Sequence, residues 1–189
     1  MIKYKFKTNE LTLNLPSMRI KLSFLILSFF FMSTSNCIAQ QLEKNGAKLP
    51  QNVEIKTLQG KKVQSSIIEN NENPIIISFW ATWCKPCIRE LTAIADLYED
   101  WQEETGVKLV AISIDDTRNS AKVAPFVYGK DWDYDVYLDE NGAFKRALNV
   151  NSVPHTFLLN DKKEIVWQHN SYAPGDEYKL YKMILELIK

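Results

Sequence analysis

At 189 residues, with 46% hydrophobic and 12% aromatic side chains, the chain has material for one well-cored domain plus appendages. Its 23 basic and 23 acidic residues cancel, but unevenly: residues 1–39 hold five basic and one acidic, leaving 18 basic and 22 acidic after them. A mildly acidic body without basic and aromatic residues interleaved gives no electrostatic basis for nucleic-acid binding.

In chain order, Arg19-Ile20-Lys21 precedes an apolar run from Leu22 to Met32, then small and polar residues from Ser33 to Ala39. This is the order of a secretory signal segment. Residues 1–39 are therefore expected to be an N-terminal extension and signal peptide, with Met18 as the true start. The apolar run is shorter than the ~20 residues of a membrane span. Cleavage after Ala39 is the leading expectation; acylation of Cys37, giving a lipoprotein, and an uncleaved anchor compete with it. Each outcome delivers the body to the periplasm or cell envelope.

Residues 40–50 are polar with Gly46 and predict a flexible lead-in, and residues 51–189 predict the folded domain. Val53–Leu58 alternates at period two, as a half-buried strand does. A turn at Gln59-Gly60-Lys61 returns the chain through Lys62–Gln64 as a hairpin. Ser65-Ser66 is placed to cap one helical turn at Ile67–Glu69. Ile75–Trp80 is apolar except for Ser78, so it predicts a central strand buried on both faces. A helix should follow Cys84 to about Glu104, stopped by Gly106, with Ile88, Leu91, Ile94, Ala95, Tyr98 and Trp101 at helical spacing. Val107–Ile114 reads as a second buried strand. Asn119 is placed to cap a helix from Ser120 to about Tyr128, where Pro125 predicts a kink or a late start. Tyr134–Leu138 reads as extended, and Ala143–Leu148 as a short helix. His155–Leu159 and Glu164–His169 form a second hairpin. A final amphipathic helix begins at Asp176, with Tyr178, Tyr181, Ile184, Leu185 and Ile188 inward. This pattern predicts an α/β fold with a mixed central sheet, flanking helices and an N-terminal β-hairpin extension.

The chemistry concentrates at Trp83-Cys84-Lys85-Pro86-Cys87, where a buried strand breaks into a helix start. A Cys-x-x-Cys at such a junction is the layout of a dithiol redox site. Thiolate is the nucleophile, and unpaired N–H groups at a helix start favour it. Lys85 and Arg89 add positive charge, so Cys84 is expected to be the attacking thiolate and Cys87 the more buried resolving thiol. Pro86 costs little in a first turn and stiffens it. A purely structural disulfide would close too small a loop to constrain the unfolded chain much. Zinc held by both cysteines with His155 and His169 fits no structural zinc spacing. No metal and no cofactor is expected.

With Phe79-Trp80-Ala81-Thr82-Trp83-Cys84-Lys85-Pro86-Cys87, Glu90, and Val153-Pro154 ahead of Thr156-Phe157-Leu158-Leu159, the sequence resembles the thioredoxin superfamily. More closely, it is similar to the exported TlpA/ResA-type thiol–disulfide oxidoreductases, over most of the chain from about Pro50. The resemblance implies that Pro154 is the cis-proline facing the dithiol and that the Val153 backbone pairs with an extended substrate segment. It implies substrate contacts at Trp83, Lys85 and Pro86 as well. It also implies that Glu90 exchanges a proton with Cys87. An ordinary trans-proline and a first-turn Glu complementing the helix dipole are the alternatives at those two positions. Thioredoxins proper carry a buried Asp where this chain has Ser78, which moves a buried acid–base role toward Glu90. Leu91-Thr92 and His155 depart from the family pattern. His155 stands either near the dithiol or as a partly exposed strand residue.

The function expected on this resemblance is reduction of disulfides in exported proteins through a mixed disulfide. The implied partners are disulfide-containing envelope proteins, apocytochromes c among them, and a separate membrane electron donor. A disulfide oxidase or isomerase is the alternative. A thiol peroxidase would need Pro-x-x-x-Thr-x-x-Cys, and Ile77 and Ala81 occupy those positions. A binding module with an inert disulfide stands as a non-enzymatic alternative.

Overall fold

In the computed structural model, residues 46–189 are described; the expected signal segment, Met18 and Cys37 lie outside them. Ile75–Trp80 is a strand whose six residues are all buried. It can be so because sheet neighbours satisfy its backbone on both edges while helices or loops cover both faces. Among the described residues the strands are β1 (Glu54–Thr57), β2 (Lys62–Gln64), β3 (Ile75–Trp80), β4 (Lys108–Ser113), β5 (Asp135–Leu138), β6 (His155–Leu159) and β7 (Ile165–Asn170). They form one mixed sheet in the order β2-β1-β5-β4-β3-β6-β7. β3, β4 and β5 are parallel, and β6, β7 and the β1–β2 hairpin join antiparallel at the two sides.

Among the described residues the helices are α1 (Lys85–Ala95), α2 (Tyr98–Thr105), α3 (Val123–Tyr128), α4 (Ala143–Ala147) and α5 (Asp176–Leu187). Strand alternation sends Ile76 and Trp80 to one face and Ile75, Ile77 and Phe79 to the other. The first face is covered by Cys87, Leu91 and Ile94 of α1, Tyr98 and Trp101 of α2, Val123 and Val127 of α3, and Leu180 and Ile184 of α5. The second is covered by Phe144 of α4 with Leu49, Ile68 and Val150.

Several expectations change. The lead-in is not loose at its described end: Leu49 is buried, its N–H donates to Lys163 O at 2.9 Å, and Lys48 bridges Glu164. Its backbone pairs beside the start of β7 instead of remaining in solvent. Neither Ser65 nor Ser66 caps a helical turn. Ser65 begins a 3-10 turn through Ile67, and its hydroxyl donates to Pro50 O and accepts from Val53 N.

The helix expected from Cys84 to Glu104 is two helices. At the break the Leu97 N–H bonds to Ile94 O, a tightened i to i+3 link, and Leu97 takes φ −117°. No Gly or Pro marks this break, so the apolar spacing runs through it unchanged. Gly106 does stop α2, with φ +67°, and a Cβ there would lie 2.9 Å from Asn73 Cγ. Pro125 sits in the first turn of α3, the late start, after a 3-10 turn at Ser120–Lys122. Asn119 caps nothing with its side chain; Asp116 Oδ1 instead accepts from the Asn119 N–H at 3.2 Å. On α5 the expected Ile184 is buried and the expected Tyr181 packs inward on Trp101, joined by Leu180, Met183 and Leu187, while Tyr178 and Ile188 are exposed. Packing against α1 and α2 turned the inward face toward Leu180 and away from Tyr178 and Ile188.

Candidate active site

β3 ends at Trp80 and the chain turns through Ala81–Trp83, closed by the Cys84 N–H bonding to Ala81 O at 3.0 Å. Cys84 is the N-cap of α1: its Sγ accepts from the Cys87 N–H at 3.3 Å, and its C=O accepts from the Ile88 N–H. Pro86 falls in the first turn, where no intrahelical N–H bond is lost. A disulfide joins Cys84 and Cys87 across this turn, with Cα atoms 5.3 Å apart. Cys87 is fully buried and Cys84 nearly so, while Trp83 beside them is 64% exposed. Lys85 and Arg89 are exposed on the rim.

Three residues after Cys87, Glu90 lies on the same inward side of α1, 5% exposed. The Thr156 hydroxyl donates to its Oε1 at 2.8 Å, and the Ser78 hydroxyl stands 3.5 Å from Oε2, at the outer limit of contact. Burial pushes the Glu90 carboxyl up from 4.5 to about 7, against the opposing effect of the Thr156 and Ser78 hydroxyls; Asp176 and Glu177 push in the same direction as burial. Burial also raises the Tyr134 hydroxyl, with a contribution from the Glu90 charge.

The Val153–Pro154 peptide bond is cis. β6 begins at the next residue, and its pairing of His155 with Phe79 brings Pro154 level with Trp80, at the end of β3 that feeds the cysteines. The Pro154 C=O is taken by the Ser171 N–H at 3.1 Å. Among the described residues, nothing hydrogen-bonds to the Val153 N–H or C=O.

His155 is buried rather than partly exposed. It stacks on Phe157 with ring centroids 4.3 Å apart, and its Nε2 is 3.2 Å from Gln168 Oε1. Strand alternation aims it at the face opposite Thr156, away from Glu90. Trp80 packs in the core against Phe126 and Trp132, and Trp101 and Trp132 are also buried.

A family model described as AhpC/TSA matches residues 45–168. The chain belongs to the AhpC/TSA family. Among relatives of this family member, sporulation thiol-disulfide oxidoreductase A of Bacillus subtilis is 30% identical over 128 residues, 67% of this chain and 75% of that protein. Thiol-disulfide oxidoreductase ResA of Bacillus thuringiensis is 29% identical over 130 residues, 69% of this chain and 72% of that protein. A solution structure of a thioredoxin-like protein from Porphyromonas gingivalis is 47% identical with TM-score 0.67, covering 76% of this chain and 94% of that one. The crystal structure of StoA from Bacillus subtilis is 26% identical with TM-score 0.57, covering 72% and 99%. The thioredoxin-like fold and the ResA/StoA-type resemblance are thus shown.

Two participants were invisible in the sequence. Thr156, the closest partner of Glu90, reads only as one residue of an apolar strand. Asp115 reads only as the end of β4. It is 1% exposed, and its carboxylate accepts from Thr82 N–H at 2.9 Å, Thr82 Oγ1 at 2.6 Å and Ser113 Oγ at 2.9 Å. Period-two reading can assign Thr156 a face, but no sequence signal states that this face meets Glu90.

Proposed function

We propose that this AhpC/TSA-family member is an exported thiol–disulfide oxidoreductase that reduces disulfides in envelope proteins, with residues 51–189 as its catalytic domain. The observation that carries the reading is the Cys84–Cys87 disulfide at the start of α1, with the buried Glu90 one turn below it. In the dithiol form the Cys84 thiolate attacks one sulfur of a client disulfide, and the other client sulfur leaves as a thiolate. Cys87 then loses its proton and attacks the Cys84 sulfur of the mixed disulfide. The client departs as a dithiol and the Cys84–Cys87 disulfide forms; two electrons and two protons have moved.

Glu90 is the acceptor for the Cys87 proton, because a carboxyl titrating near 7 can take and return a proton at neutral pH. The N–H and C=O of Val153, beside Pro154 and without a hydrogen bond among the described residues, offer a short β-type pairing to an extended client segment. Exposed Trp83, with Lys85 and Pro86, forms the rest of the docking rim. A disulfide in an apocytochrome c fits this client class. Return to the dithiol requires a separate membrane-borne electron donor. Among the described residues no helix is long and apolar enough to cross a membrane. Export rests on the signal segment before residue 40.

Redox equilibration against glutathione and dithiothreitol tests the direction. A potential near ~−270 mV, the thioredoxin value, supports a reductase, and one above about −150 mV, toward the ~−120 mV of DsbA, overturns it in favour of an oxidase.

A further inference from the structure

The turn before the cysteines is held from below by a buried anion. Asp115, at the exit of β4, takes three hydrogen bonds: two from Thr82 and one from Ser113. Its own N–H donates to Ser113 Oγ at 3.1 Å. Oδ2 accepts from the Thr82 N–H and the Ser113 hydroxyl and Oδ1 from the Thr82 hydroxyl, so an amide of the same shape could keep its oxygen on the first two donors and turn its NH2 to the Thr82 hydroxyl oxygen. Among the described residues no ion pair reaches Asp115. A side chain this buried and this charged is costly to keep where a neutral acceptor would satisfy most of the same donors. Thr82 is two residues from Cys84, inside the turn closed by Cys84 N–H to Ala81 O.

We propose that Asp115 is a positioning residue that clamps the Ala81–Cys84 turn and, as a fixed buried anion, biases the cysteine pair toward the disulfide, making the dithiol a stronger reductant. The inference rests on the redox role proposed above for Cys84 and Cys87. The charged side chains of α1 beside the cysteines are Lys85 and Arg89 on its exposed side and Glu90 on its buried side, and Asp115 bonds to Thr82, two residues before Cys84. The first two and the helix start favour a thiolate; the two carboxylates oppose it. Destabilising the thiolate destabilises the reduced state, so electrons pass more readily to a client.

Two variants of the full chain separate charge from geometry. Asp115→Asn removes the anion. It should lower the pKa read from the pH dependence of Cys84 alkylation by about one unit. The glutathione equilibrium should move toward the dithiol by up to about tenfold, some ~30 mV for two electrons. Thr82→Val keeps the anion but removes one of its compensating donors, and should move the Cys84 pKa upward by about half a unit. Opposite signs support the proposal. An unchanged pKa and potential in Asp115→Asn overturns it, as does a shift of both variants in the same direction, which would mark loosening of the turn as the cause. Should Asp115→Asn fail to fold, Thr82→Val decides alone: an upward shift supports the proposal, and no shift or a downward one refutes it. A wild-type protein that exchanges no disulfide with glutathione would instead sink the redox reading itself.

Discussion

Replacing Glu90 by Gln should stabilise the protein at pH 8 and leave it nearly unchanged at pH 5. Burial raises the Glu90 carboxyl from 4.5 to about 7, so the native state holds this proton more tightly than the unfolded chain does. A raised pKa contributes stability that is fully present below 4.5 and is lost as pH rises through about 7. At about 1.36 kcal/mol per pH unit, that loss is on the order of 3 kcal/mol by pH 8. Glu90 is 5% exposed, so solvent screening removes little of it. Gln is nearly the same shape, keeps an oxygen for the Thr156 hydroxyl at the position of Oε1, and carries no charge to desolvate. The assay is urea unfolding of the oxidised protein, wild type against Glu90→Gln, at pH 5 and pH 8. The expected difference grows from about zero to roughly 2–3 kcal/mol in favour of the variant. A difference that does not change with pH, or a variant less stable at pH 8, would refute the burial argument.

Thr156→Val removes the 2.8 Å donor to Glu90 and should destabilise the protein above pH 7 by about 1–3 kcal/mol, with a much smaller cost at pH 5, where the carboxyl is protonated. The same substitution should raise the Glu90 pKa further, which an NMR titration of its side chain reads directly. Cys87→Ser should accumulate mixed disulfides with client proteins through Cys84, visible as higher-mass bands that a reductant removes, whereas Cys84→Ser should trap none. Trapping through Cys87 in the Cys84→Ser variant would reverse the assigned order of attack.

What could be read without coordinates is what neighbours along the chain determine. The run Ile75–Trp80, apolar except for Ser78, specified a strand buried on both faces, and the structure buries all six residues. The helix start after Cys84, with Pro86 in its first turn, and the strand His155–Leu159 likewise follow from residues within a few positions of one another. Glu90 could be placed beside the inward stripe of α1 for the same reason. By contrast, the break at Leu97 has no Gly or Pro to announce it, and which apolar residues flank Ile184 on the inward face of α5 is settled only by what packs on them.

The Cys-x-x-Cys at a strand-to-helix junction was determined by the sequence alone, because both cysteines belong to one turn of one helix. What surrounds that pair was decided by the tertiary structure. Ser78, Glu90 and Thr156 come together only because β3 pairs with β6 in the register that sets Ser78 opposite Thr156, under α1. Asp115 reaches Thr82 only because β4 runs parallel beside β3 and ends level with it. Register is settled by burial across the whole sheet and not by any one strand, so a slip of one residue would turn Thr156 to the far face and leave Glu90 without its donor.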